Sequence, residues 1–410
     1  MSETVVIIGA GHAGVQAAAS LREDGFAGAV MLLDAQTHKP YQRPPLSKAF
    51  MKGEAAAESL VLRGDDFYPQ KDIGLRLGAR VVAIDRASRA VMLAGGERVA
   101  YDHLILATGA RPRPFAAPGV ELDGVMTLRT LDDASALKAR LATASQVAVV
   151  GAGFIGLEFA AVAAAFGHRA VVVDIADRVM GRAVSPVMSE AFAAKHRALG
   201  SSLLMGASVA EFAGEDGRLT GLRLRDGRFF ASDLALVGVG VLPEDALARE
   251  AGLAVENGVV VDDHLRASDP AISAIGDSAF FPNPFGAGRI RLESVQNAVD
   301  QARCVARRIA GRPEPYRATP WFWSDQADYK LQTAGLPIGV EDYVTRGDVA
   351  SGRFSSFGLK DGRVVVVESI NRPADHMAAR RFLAGAPLTR EQAMDEAYDL
   401  KAHAIRSPRP

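Results

Sequence analysis

The stretch VVIIGAGHAG at residues 5–14 decides the fold of this chain. Its four leading residues are apolar and β-branched, which is typical of a buried parallel strand. Gly9, Gly11 and Gly14 then form a Gly-x-Gly-x-x-Gly turn, and an alanine-rich stretch with the character of a helix follows. Such glycines permit a tight turn and let the backbone approach a pyrophosphate at the helix N-terminus. The stretch therefore predicts a strand–turn–helix unit that binds a dinucleotide.

The same pattern occurs a second time, as VAVVGAGFIG at residues 147–156. Here Gly151, Gly153 and Gly156 take the glycine positions, and another alanine-rich helix is predicted after them. One such motif is weak evidence, whereas two in the same context indicate two nucleotides bound at once. Electron transfer between two redox cofactors is therefore the leading interpretation.

An acidic residue ends the second strand of each predicted unit. Asp34 follows the strand predicted at 29–33, 20 positions after the first motif. Asp174 follows the strand predicted at 170–173, 18 positions after the second motif. A carboxylate at this spacing binds the ribose hydroxyls of an adenine nucleotide. We therefore expect both acids to bind ribose.

The charge of Asp174 also bears on the choice of nucleotide. A carboxylate there repels a 2′-phosphate, so NADH is expected rather than NADPH. Arg178 and Arg182 follow closely and favour NADPH instead, because an arginine accommodates the 2′-phosphate.

Composition narrows the classes of protein that fit. The 410 residues suffice for two or three domains, and the hydrophobic (49%) and charged (23%) fractions are ordinary for a globular protein. A net charge of −1 gives no general attraction to nucleic acid or to an anionic membrane. No apolar run reaches the ~20 residues that span a bilayer. A cytoplasmic monomer or weak dimer without a metal site is expected.

Cys304 is the single cysteine of the chain. Cys304 lies on a helix predicted at 297–309, and we expect it to be a core or half-buried residue and not a reactive thiol. Because a second cysteine is missing, an intramolecular dithiol relay is excluded, and disulfide-reductase chemistry with it.

Three further apolar runs, at 103–109, 234–240 and 271–277, end in small or polar residues. The runs 103–109 and 271–277 are typical of buried parallel strands whose carboxyl ends meet a ligand, and the run 234–240 ends the second nucleotide unit. The segment at 111–114 is interpreted as a linker. After Pro243 the sequence again predicts strands like those of the first nucleotide unit. The second nucleotide unit is therefore predicted to be inserted into the first.

From residue 320 the pattern changes to short strands. Asp-Gly at 361–362 lies between the runs 354–359 and 364–369, which predicts a tight hairpin, and a helix is expected near 374–383. The predicted fold class is α/β, with two doubly wound dinucleotide-binding domains and a small α+β C-terminal domain. The predicted domains are 1–111 with 243–319 for FAD, 112–242 for NAD, and 320–410.

Several other short motifs accompany the glycine motifs. They are RPPLSK at 43–48, ATG at 107–109, Glu158, GD at 276–277, ESVQN at 293–297 and PWFWS at 320–324. In this order the set resembles the FAD-dependent ferredoxin reductases of the putidaredoxin-reductase type, over nearly the whole chain. Those enzymes, which share a glutathione-reductase-like arrangement, pass electrons from NADH to an iron–sulfur ferredoxin that serves a haem or ring-hydroxylating oxygenase.

The resemblance implies a set of residues for each nucleotide. For FAD these are Gly9, Gly11, Ala13, Gly14, Asp34, Arg43, Lys48, Val81, Ala107, Thr108, Gly109, Arg129, Gly276, Asp277 and Val295. For NADH they are Gly151, Gly153, Phe154, Ile155, Gly156, Glu158, Asp174, Arg182, Gly238, Val239, Gly240 and Glu293.

Three residues are expected to act in catalysis. Lys48 ends a double-proline segment, and a cation beside the flavin N5 edge stabilises negative charge that develops on reduction. By the resemblance, Glu158 pairs with Lys48 and attracts the nicotinamide ring that becomes cationic. Trp323 matches a family position at the flavin that faces the ferredoxin, whereas Trp321 and Phe322 are expected in the core of the C-terminal domain.

A basic patch is predicted on one helix. Arg303, Arg307 and Arg308 lie on the stretch at 297–309 and are candidates for steering an acidic ferredoxin, although a solvated helix face fits them equally well.

Three alternatives stay open. An NADH oxidase needs a redox cysteine where this chain has His38–Arg43. A rubredoxin-reductase-type enzyme and an interaction protein like apoptosis-inducing factor share much of the motif set.

Overall fold

The computed structural model describes residues 3–406 of the chain. Its strands, numbered in chain order, are β1 Thr4–Ile8, β2 Ala29–Leu33, β3 Ile73–Arg76, β4 Val81–Asp85, β5 Ala90–Leu93, β6 Arg98–Ala100, β7 His103–Leu106, β8 Ala110–Pro112, β9 Val125–Met126, β10 Val147–Val150, β11 Ala170–Asp174, β12 Ser202–Met205, β13 Val209–Glu215, β14 Arg218–Leu224, β15 Phe229–Ala231, β16 Leu234–Val237, β17 Val241–Pro243, β18 Val255–Glu256, β19 Gly258–Val260, β20 Ile272–Ala274, β21 Ala279–Pro282, β22 Arg289–Ile290, β23 Trp321–Gln326, β24 Tyr329–Gly335, β25 Asp342–Asp348, β26 Arg353–Lys360 and β27 Arg363–Ile370.

The helices of the same residues are numbered likewise. They are α1 His12–Glu23, α2 Ala49–Lys52, α3 Phe67–Gln70, α4 Leu131–Leu141, α5 Phe154–Ala165, α6 Pro186–Ala198, α7 Ala246–Glu250, α8 Val295–Ile309, α9 Pro373–Phe382, α10 Arg390–Met394 and α11 Leu400–Arg406. Short 3₁₀ turns cover Pro44–Ser47, Ala57–Leu60 and Gly276–Ser278. Within residues 3–406, no helix combines the length and the apolar character that crossing a bilayer requires.

The described residues cluster into two compact units. The first takes in the chain up to Gln42 together with Glu58–Arg111 and Leu242–Ala318. The second takes in Arg43–Ala57, Pro112–Val241 and the chain from Thr319 on. The segment Arg43–Ala57, which the sequence places in the FAD domain, thus belongs to the second unit.

A five-stranded parallel sheet forms the centre of the first unit, in the order β20-β7-β1-β2-β3. Strand β1 is the central strand, and its residues Val5–Ile8 are buried, as is typical of a parallel sheet that is covered on both faces. Helix α8 packs against α1, and both helices contribute to the same apolar core. Smaller sheets, β4-β5-β6 and β18-β19-β21-β22, complete the unit.

The second unit contains another five-stranded parallel sheet, in the order β12-β11-β10-β16-β9. In the first sheet β1 lies between β2, which Asp34 follows, and β7. In the second sheet β10 lies in the same way between β11, which ends at Asp174, and β16. Helix α5 is apolar on nearly all sides, and most of its residues are buried. The predicted duplication of the strand–turn–helix unit is therefore present.

The C-terminal part of the second unit is an antiparallel sheet in the order β23-β24-β27-β26-β25, covered by α9, α10 and α11. Asp361 and Gly362 connect β26 to β27 with positive φ angles of 50° and 68°. This conformation at both central residues is typical of a type I′ hairpin turn, as the Asp-Gly pair predicts. The predicted α/β fold class, with two doubly wound parts and an α+β C-terminal part, is confirmed.

The strands in three apolar runs are shorter than the runs themselves. The run 103–109 ends as a strand at Leu106, and the run 234–240 ends at Val237. The run 271–277 is a strand only over Ile272–Ala274 and closes in the 3₁₀ turn Gly276–Ser278. The last residues of each run are therefore turns at the carboxyl end of a strand, where ligands bind in parallel sheets.

Candidate active site

The first glycine motif is shaped by close approaches of backbone to backbone. A Cβ atom on Gly9, which has a φ of +103°, would lie 2.4 Å from the carbonyl oxygen of Ala107. A Cβ on Gly14 would lie 1.8 Å from the carbonyl oxygen of Gly9. Both contacts require glycine. They hold the start of α1 tightly against the ends of β1 and β7.

The second motif repeats this geometry. A Cβ on Gly151 would lie 2.4 Å from the carbonyl oxygen of Gly238, and one on Gly156 would lie 2.0 Å from the carbonyl oxygen of Gly151. Around Gly153 no atom of the described chain lies within 4 Å of a built Cβ. This middle glycine therefore leaves open space where a pyrophosphate approaches the backbone in such motifs.

The helices that follow the two motifs begin without a side-chain cap. The residues at the cap positions are Gly11 before α1 and Gly153 before α5, and neither makes a side-chain hydrogen bond to its helix. By contrast, Thr130 and Ser294 cap α4 and α8 with their hydroxyl groups. An uncapped helix N-terminus offers its amide groups and positive dipole end to an anion, so both sites fit the pyrophosphate of a dinucleotide.

The two strand-end aspartates have the same surroundings. Asp34 accepts hydrogen bonds from the backbone N–H groups of Ala10, at 2.6 Å, and Gln36, at 2.8 Å. Asp174 accepts equivalent bonds from Ala152, at 2.6 Å, and Ala176, at 2.8 Å. Each carboxylate is thereby fixed beside its glycine turn. Because a carboxylate offers about four acceptor sites, capacity remains for ribose hydroxyls.

Other residues predicted for FAD also lie in the first unit. The Thr108 hydroxyl donates to the carbonyl of Glu244 at 2.6 Å, and the Gly276 amide donates to Gln301 at 2.8 Å. Val295 is the first residue of α8. Val81 is the first residue of β4, and Ala107 and Gly109 follow the end of β7. Asp277 lies in the last 3₁₀ turn, and Ala13 is buried in α1.

Three residues predicted for FAD belong to the second unit, and one predicted for NADH belongs to the first. Arg43, Lys48 and Arg129 are part of the second unit. Glu293 is part of the first, where its carboxylate pairs with Arg291 at 2.6 Å. The roles of Arg43, Arg129 and Glu293 toward the nucleotides stay predictions.

Lys48 and Glu158 form the central ion pair of the second unit. The Lys48 Nζ lies 2.8 Å from Glu158 Oε1, and the Glu158 side chain is only 2% exposed. The Ser47 hydroxyl donates to Glu158 Oε2 at 2.5 Å, and the Ser324 hydroxyl donates to Oε1 at 2.6 Å. The pairing that the resemblance implies is therefore present. The roles of Ser47 and Ser324 were not predicted, although both lie in quoted motifs.

Burial and hydrogen bonding act in opposite directions on Glu158. Loss of solvent raises the pKa of this carboxyl, while the Lys48 ammonium and the Ser324 and Ser47 hydroxyls oppose the rise. Donors to the charged form of a buried acid favour ionisation. Burial has the largest effect, so the pKa of Glu158 is raised, and Lys48 makes the largest opposing contribution.

Trp323 is half-buried on β23, an edge strand of the C-terminal sheet. Its ring lies 5.7 Å from that of Trp321, over which the Arg380 guanidinium stacks at 4.4 Å. Phe322 points to the other side of the strand and contacts Phe154 of the second glycine motif, with ring centres 4.6 Å apart. The expectation that Phe322 lies in the C-terminal core is therefore wrong, because side chains alternate between the two faces of a strand.

The arginines after Asp174 have different surroundings. The Arg178 guanidinium donates to the carbonyls of Val184, at 2.8 Å, and Gly181, at 2.5 Å. It therefore braces the loop that follows β11. Arg182 is exposed. Gly238, Val239 and Gly240 follow β16, and the Gly238 amide donates to the carbonyl of Val150 at 2.8 Å.

The basic patch predicted on α8 is only partly present. Arg303 pairs with Asp300 at 3.2 Å, and Arg307 pairs with Glu314 at 3.5 Å. Arg308 is half-buried and donates to the Ser273 hydroxyl at 2.5 Å, and burial lowers its pKa to about 10. Arg308 is therefore a structural residue of the first unit. The inclusion of Arg308 in a docking face was wrong.

Known proteins match this chain over nearly its whole length. The family model described as pyridine nucleotide-disulphide oxidoreductase matches residues 3–302. The chain belongs to this family. A second model, described as reductase C-terminal, matches residues 321–404.

Members of the family with similar sequences are electron-transfer reductases by name. Rhodocoxin reductase of Rhodococcus erythropolis is 48% identical, with 98% of this chain and 95% of that protein covered. The ferredoxin reductase for the CYP199A2 system of Rhodopseudomonas palustris has a TM-score of 0.96 at 47% identity, covering 98% of this chain and 100% of that one. The putidaredoxin reductase in a covalent complex with putidaredoxin has a TM-score of 0.95 at 37% identity, with 99% of each chain covered.

This family member has no second cysteine for a disulphide. Cys304 is half-buried on α8, and its thiol donates to the carbonyl of Glu314 at 3.3 Å. Burial raises the pKa of this thiol to about 11. A thiol with so high a pKa is not reactive at neutral pH, as the sequence predicts.

Glu368 is a second buried carboxylate in the second unit. It lies on β27 and accepts hydrogen bonds from the Ser185 backbone, at 3.0 Å to each oxygen, and from the Ser185 hydroxyl. Ser185 is the residue before α6. Burial raises the pKa of Glu368 to about 7, against the Ser185 donors and the Arg178 charge.

We expect Glu368 to make stability depend on pH. A carboxyl with a raised pKa stabilises the fold fully below its usual pKa of 4.5, and this contribution is lost as the pH rises through about 7. Relative to a Glu368→Gln variant, the wild type should lose about 3 kcal/mol of unfolding free energy between those pH values. Urea unfolding across this range measures it. The exposed Glu341→Gln is the control, and parallel curves for wild type and Glu368→Gln would contradict the assignment.

Proposed function

We propose that the chain is an NADH:ferredoxin oxidoreductase that carries FAD. It passes electrons one at a time to a small iron–sulfur ferredoxin, which serves a haem or ring-hydroxylating oxygenase. The observation that carries the proposal is the duplicated nucleotide geometry, in which two tightly packed glycine turns each lie beside an anchored aspartate. The names of the similar proteins support ferredoxin as the acceptor.

Each glycine motif has a distinct task in this proposal. The first, with Asp34, holds FAD, and the second, with Asp174, holds NADH. When bound, FAD would supply the chemistry that joins a two-electron hydride donor to a one-electron acceptor. The chain supplies the binding geometry and the charge of the Lys48–Glu158 pair.

Lys48 has the surroundings that an electrostatic role requires. Its ammonium is held at a fixed place by a nearly buried carboxylate and by the restricted backbone after Pro44 and Pro45. In the proposal this positive charge meets the negative charge that develops on the flavin ring. A charge that is positioned in advance, away from bulk water, stabilises such a state more strongly than a mobile one.

NADH is expected to be used more efficiently than NADPH. Asp174 places a negative charge where the 2′-phosphate of NADPH would lie, and Arg178 is occupied by backbone carbonyls. We expect kcat/KM for NADH to exceed that for NADPH by roughly tenfold or more, and Asp174→Ala to reduce this ratio. The exposed Asp177→Ala is the matched control. A wild type that prefers NADPH would show that the assignment is wrong.

Ferredoxin docking is proposed near the exposed part of α8, with an acidic partner. Arg307→Glu is expected to slow ferredoxin reduction several-fold at low salt, less at high salt, because surface charges steer association. Reduction of a small dye should be unchanged. Arg197→Glu, at a comparably exposed arginine of the other unit, is the control. Equal effects of the two variants would exclude this docking face.

The test of the proposed function compares electron acceptors. With NADH as donor, the purified protein is expected to reduce an oxygenase-type ferredoxin much faster than rubredoxin or molecular oxygen. Faster reduction of rubredoxin would favour the rubredoxin-reductase alternative. Reduction of oxygen alone would favour an NADH oxidase. Reduction of the bound flavin by one equivalent of NADH, with no turnover on any acceptor, would favour an interaction protein. A cytoplasmic location and a monomer or weak dimer stay predictions.

A further inference from the structure

A hydrogen-bonded network of buried polar side chains extends from Glu158 within the second unit. Ser324, which donates to Glu158, accepts a hydrogen bond from the Gln326 amide at 3.2 Å. Gln326 Oε1 in turn lies 2.9 Å from His196 Nε2 on α6. Ser324, Gln326 and His196 are all fully buried. Ser324 and Gln326 are two residues apart on β23, so both face the same side of that strand.

An ionised Glu158, paired with Lys48, would fix the direction of every hydrogen bond in this network. A carboxylate only accepts, so the Ser324 hydroxyl must donate to Glu158 and its oxygen is free to accept from the Gln326 NH₂ group. The Gln326 carbonyl then faces His196 and requires a proton on Nε2. In the described residues, His196 Nδ1 is buried and has no hydrogen-bond partner. This agrees with a neutral ring protonated on Nε2 alone.

We propose that Ser324, Gln326 and His196 are positioning residues that keep Glu158 ionised against Lys48, and that they set the lower pH limit of flavin reduction by NADH. The inference rests on the proposed function, because it assumes that the Lys48 charge acts on the flavin. None of the three residues needs to touch the nucleotides. They act through Glu158, which holds Lys48 in place.

Few charged groups lie around this hydrogen-bonded network. In the described part of the protein, Lys48 is the charged residue that acts on Glu158, from the segment that follows the 3₁₀ turn Pro44–Ser47. Helix α5 has no other charged residue. On α6, burial lowers the pKa of His196, the hydrogen bond with Gln326 opposes this, and the charge of Lys195 lowers it further. Removing a donor to Glu158 therefore raises the pKa of Glu158 further, since burial is then less compensated.

The first test is the pH profile of flavin reduction by NADH, measured by stopped flow without ferredoxin. Ser324→Ala is expected to move the acid limb up by roughly one to two pH units, since a hydrogen bond to a charged group favours the ionised form by about that much. Ser356→Ala is the matched control, because Ser356 is equally buried in the same sheet and its hydroxyl has no partner in the described chain. Loss of rate without a shift of the limb would overturn the inference.

The second test needs no bound nucleotide. Nitrogen-15 NMR of the protein, with His196 assigned by comparison with His196→Gln, reports the tautomer of the ring. The inference expects a neutral Nε2–H ring at pH 7, and a charged ring in Gln326→Glu, where a carboxylate faces Nε2. An Nδ1–H ring in the wild type would overturn the inference. The expected tautomer, in a protein whose flavin NADH cannot reduce, would contradict the proposed function and leave the hydrogen-bonded network intact.

Discussion

Gly14→Ala is expected to yield a protein without FAD and with greatly reduced stability. A methyl group at this position would lie 1.8 Å from the carbonyl oxygen of Gly9, and neither backbone segment is free to move, since Gly9 itself is pressed against Ala107. The start of α1 must therefore shift away from β1. We expect a loss of about 3 kcal/mol or more in unfolding free energy, typical of steric overlap in a packed core.

Flavin absorbance per protein and thermal unfolding measure this effect. The bound flavin is expected to fall below about a tenth of the wild-type content, because the displaced turn no longer presents its amides to the pyrophosphate. Gly64→Ala is the matched control in the same unit, since a Cβ there meets nothing within 4 Å. A yellow Gly14→Ala protein with the wild-type Tm would falsify the proposed role of the first motif.

Lys48→Met is expected to slow flavin reduction by NADH about 100- to 1,000-fold. Removal of one positioned donor or charge from a developing anion typically costs roughly 3–4 kcal/mol of transition-state stabilisation. The variant also leaves Glu158 buried without its cation, so the carboxyl is expected to take up a proton. Stopped-flow reduction of the flavin measures the rate.

Two comparisons separate the role of Lys48 in catalysis from a role in folding. Lys52→Met removes a nearby lysine whose partner, Glu54, is largely exposed, and it should leave the rate unchanged. The double variant Lys48→Met/Glu158→Gln removes both buried charges, so its stability should recover while its reduction stays slow. Rapid reduction in the double variant would show that the pair is only structural.

The sequence predicts the two nucleotide-binding units because their signals are local. Each unit needs a β-branched strand, three glycines and a strand-end acid within a short stretch, and Asp34 and Asp174 lie where the spacing predicts. The Asp361-Gly362 turn is predicted for the same reason, since two positive φ angles require those residue types.

The surroundings of the Lys48–Glu158 pair were beyond sequence reasoning. Ser47 and Ser324 meet Glu158 across 111 and 166 positions of the chain, and spacing says nothing about contacts at such distances. The resemblance suggested the ion pair but gave no reason to include a serine. The same limit applies to Arg308, whose burial against Ser273 depends on the packing of α8 over β20.

Assignment of Arg43–Ala57 to the second unit has a similar cause. The segment follows the first nucleotide motif in the chain, so sequence order places it in the first domain. Its contacts group it with the second unit: Lys48 pairs with Glu158, and the Lys138 ammonium lies 4.9 Å from the Phe50 ring centre. Such long-range packing overrides sequence proximity. The predicted domain bounds stay a prediction.

An anaerobic titration with NADH and an oxygenase-type ferredoxin tests the central claim most directly. The account predicts that NADH bleaches the bound flavin, and that each NADH then yields two reduced one-electron ferredoxins with no thiol consumed. A protein that binds no flavin, or a bound flavin that NADH reduces without any electron reaching a ferredoxin, would contradict it.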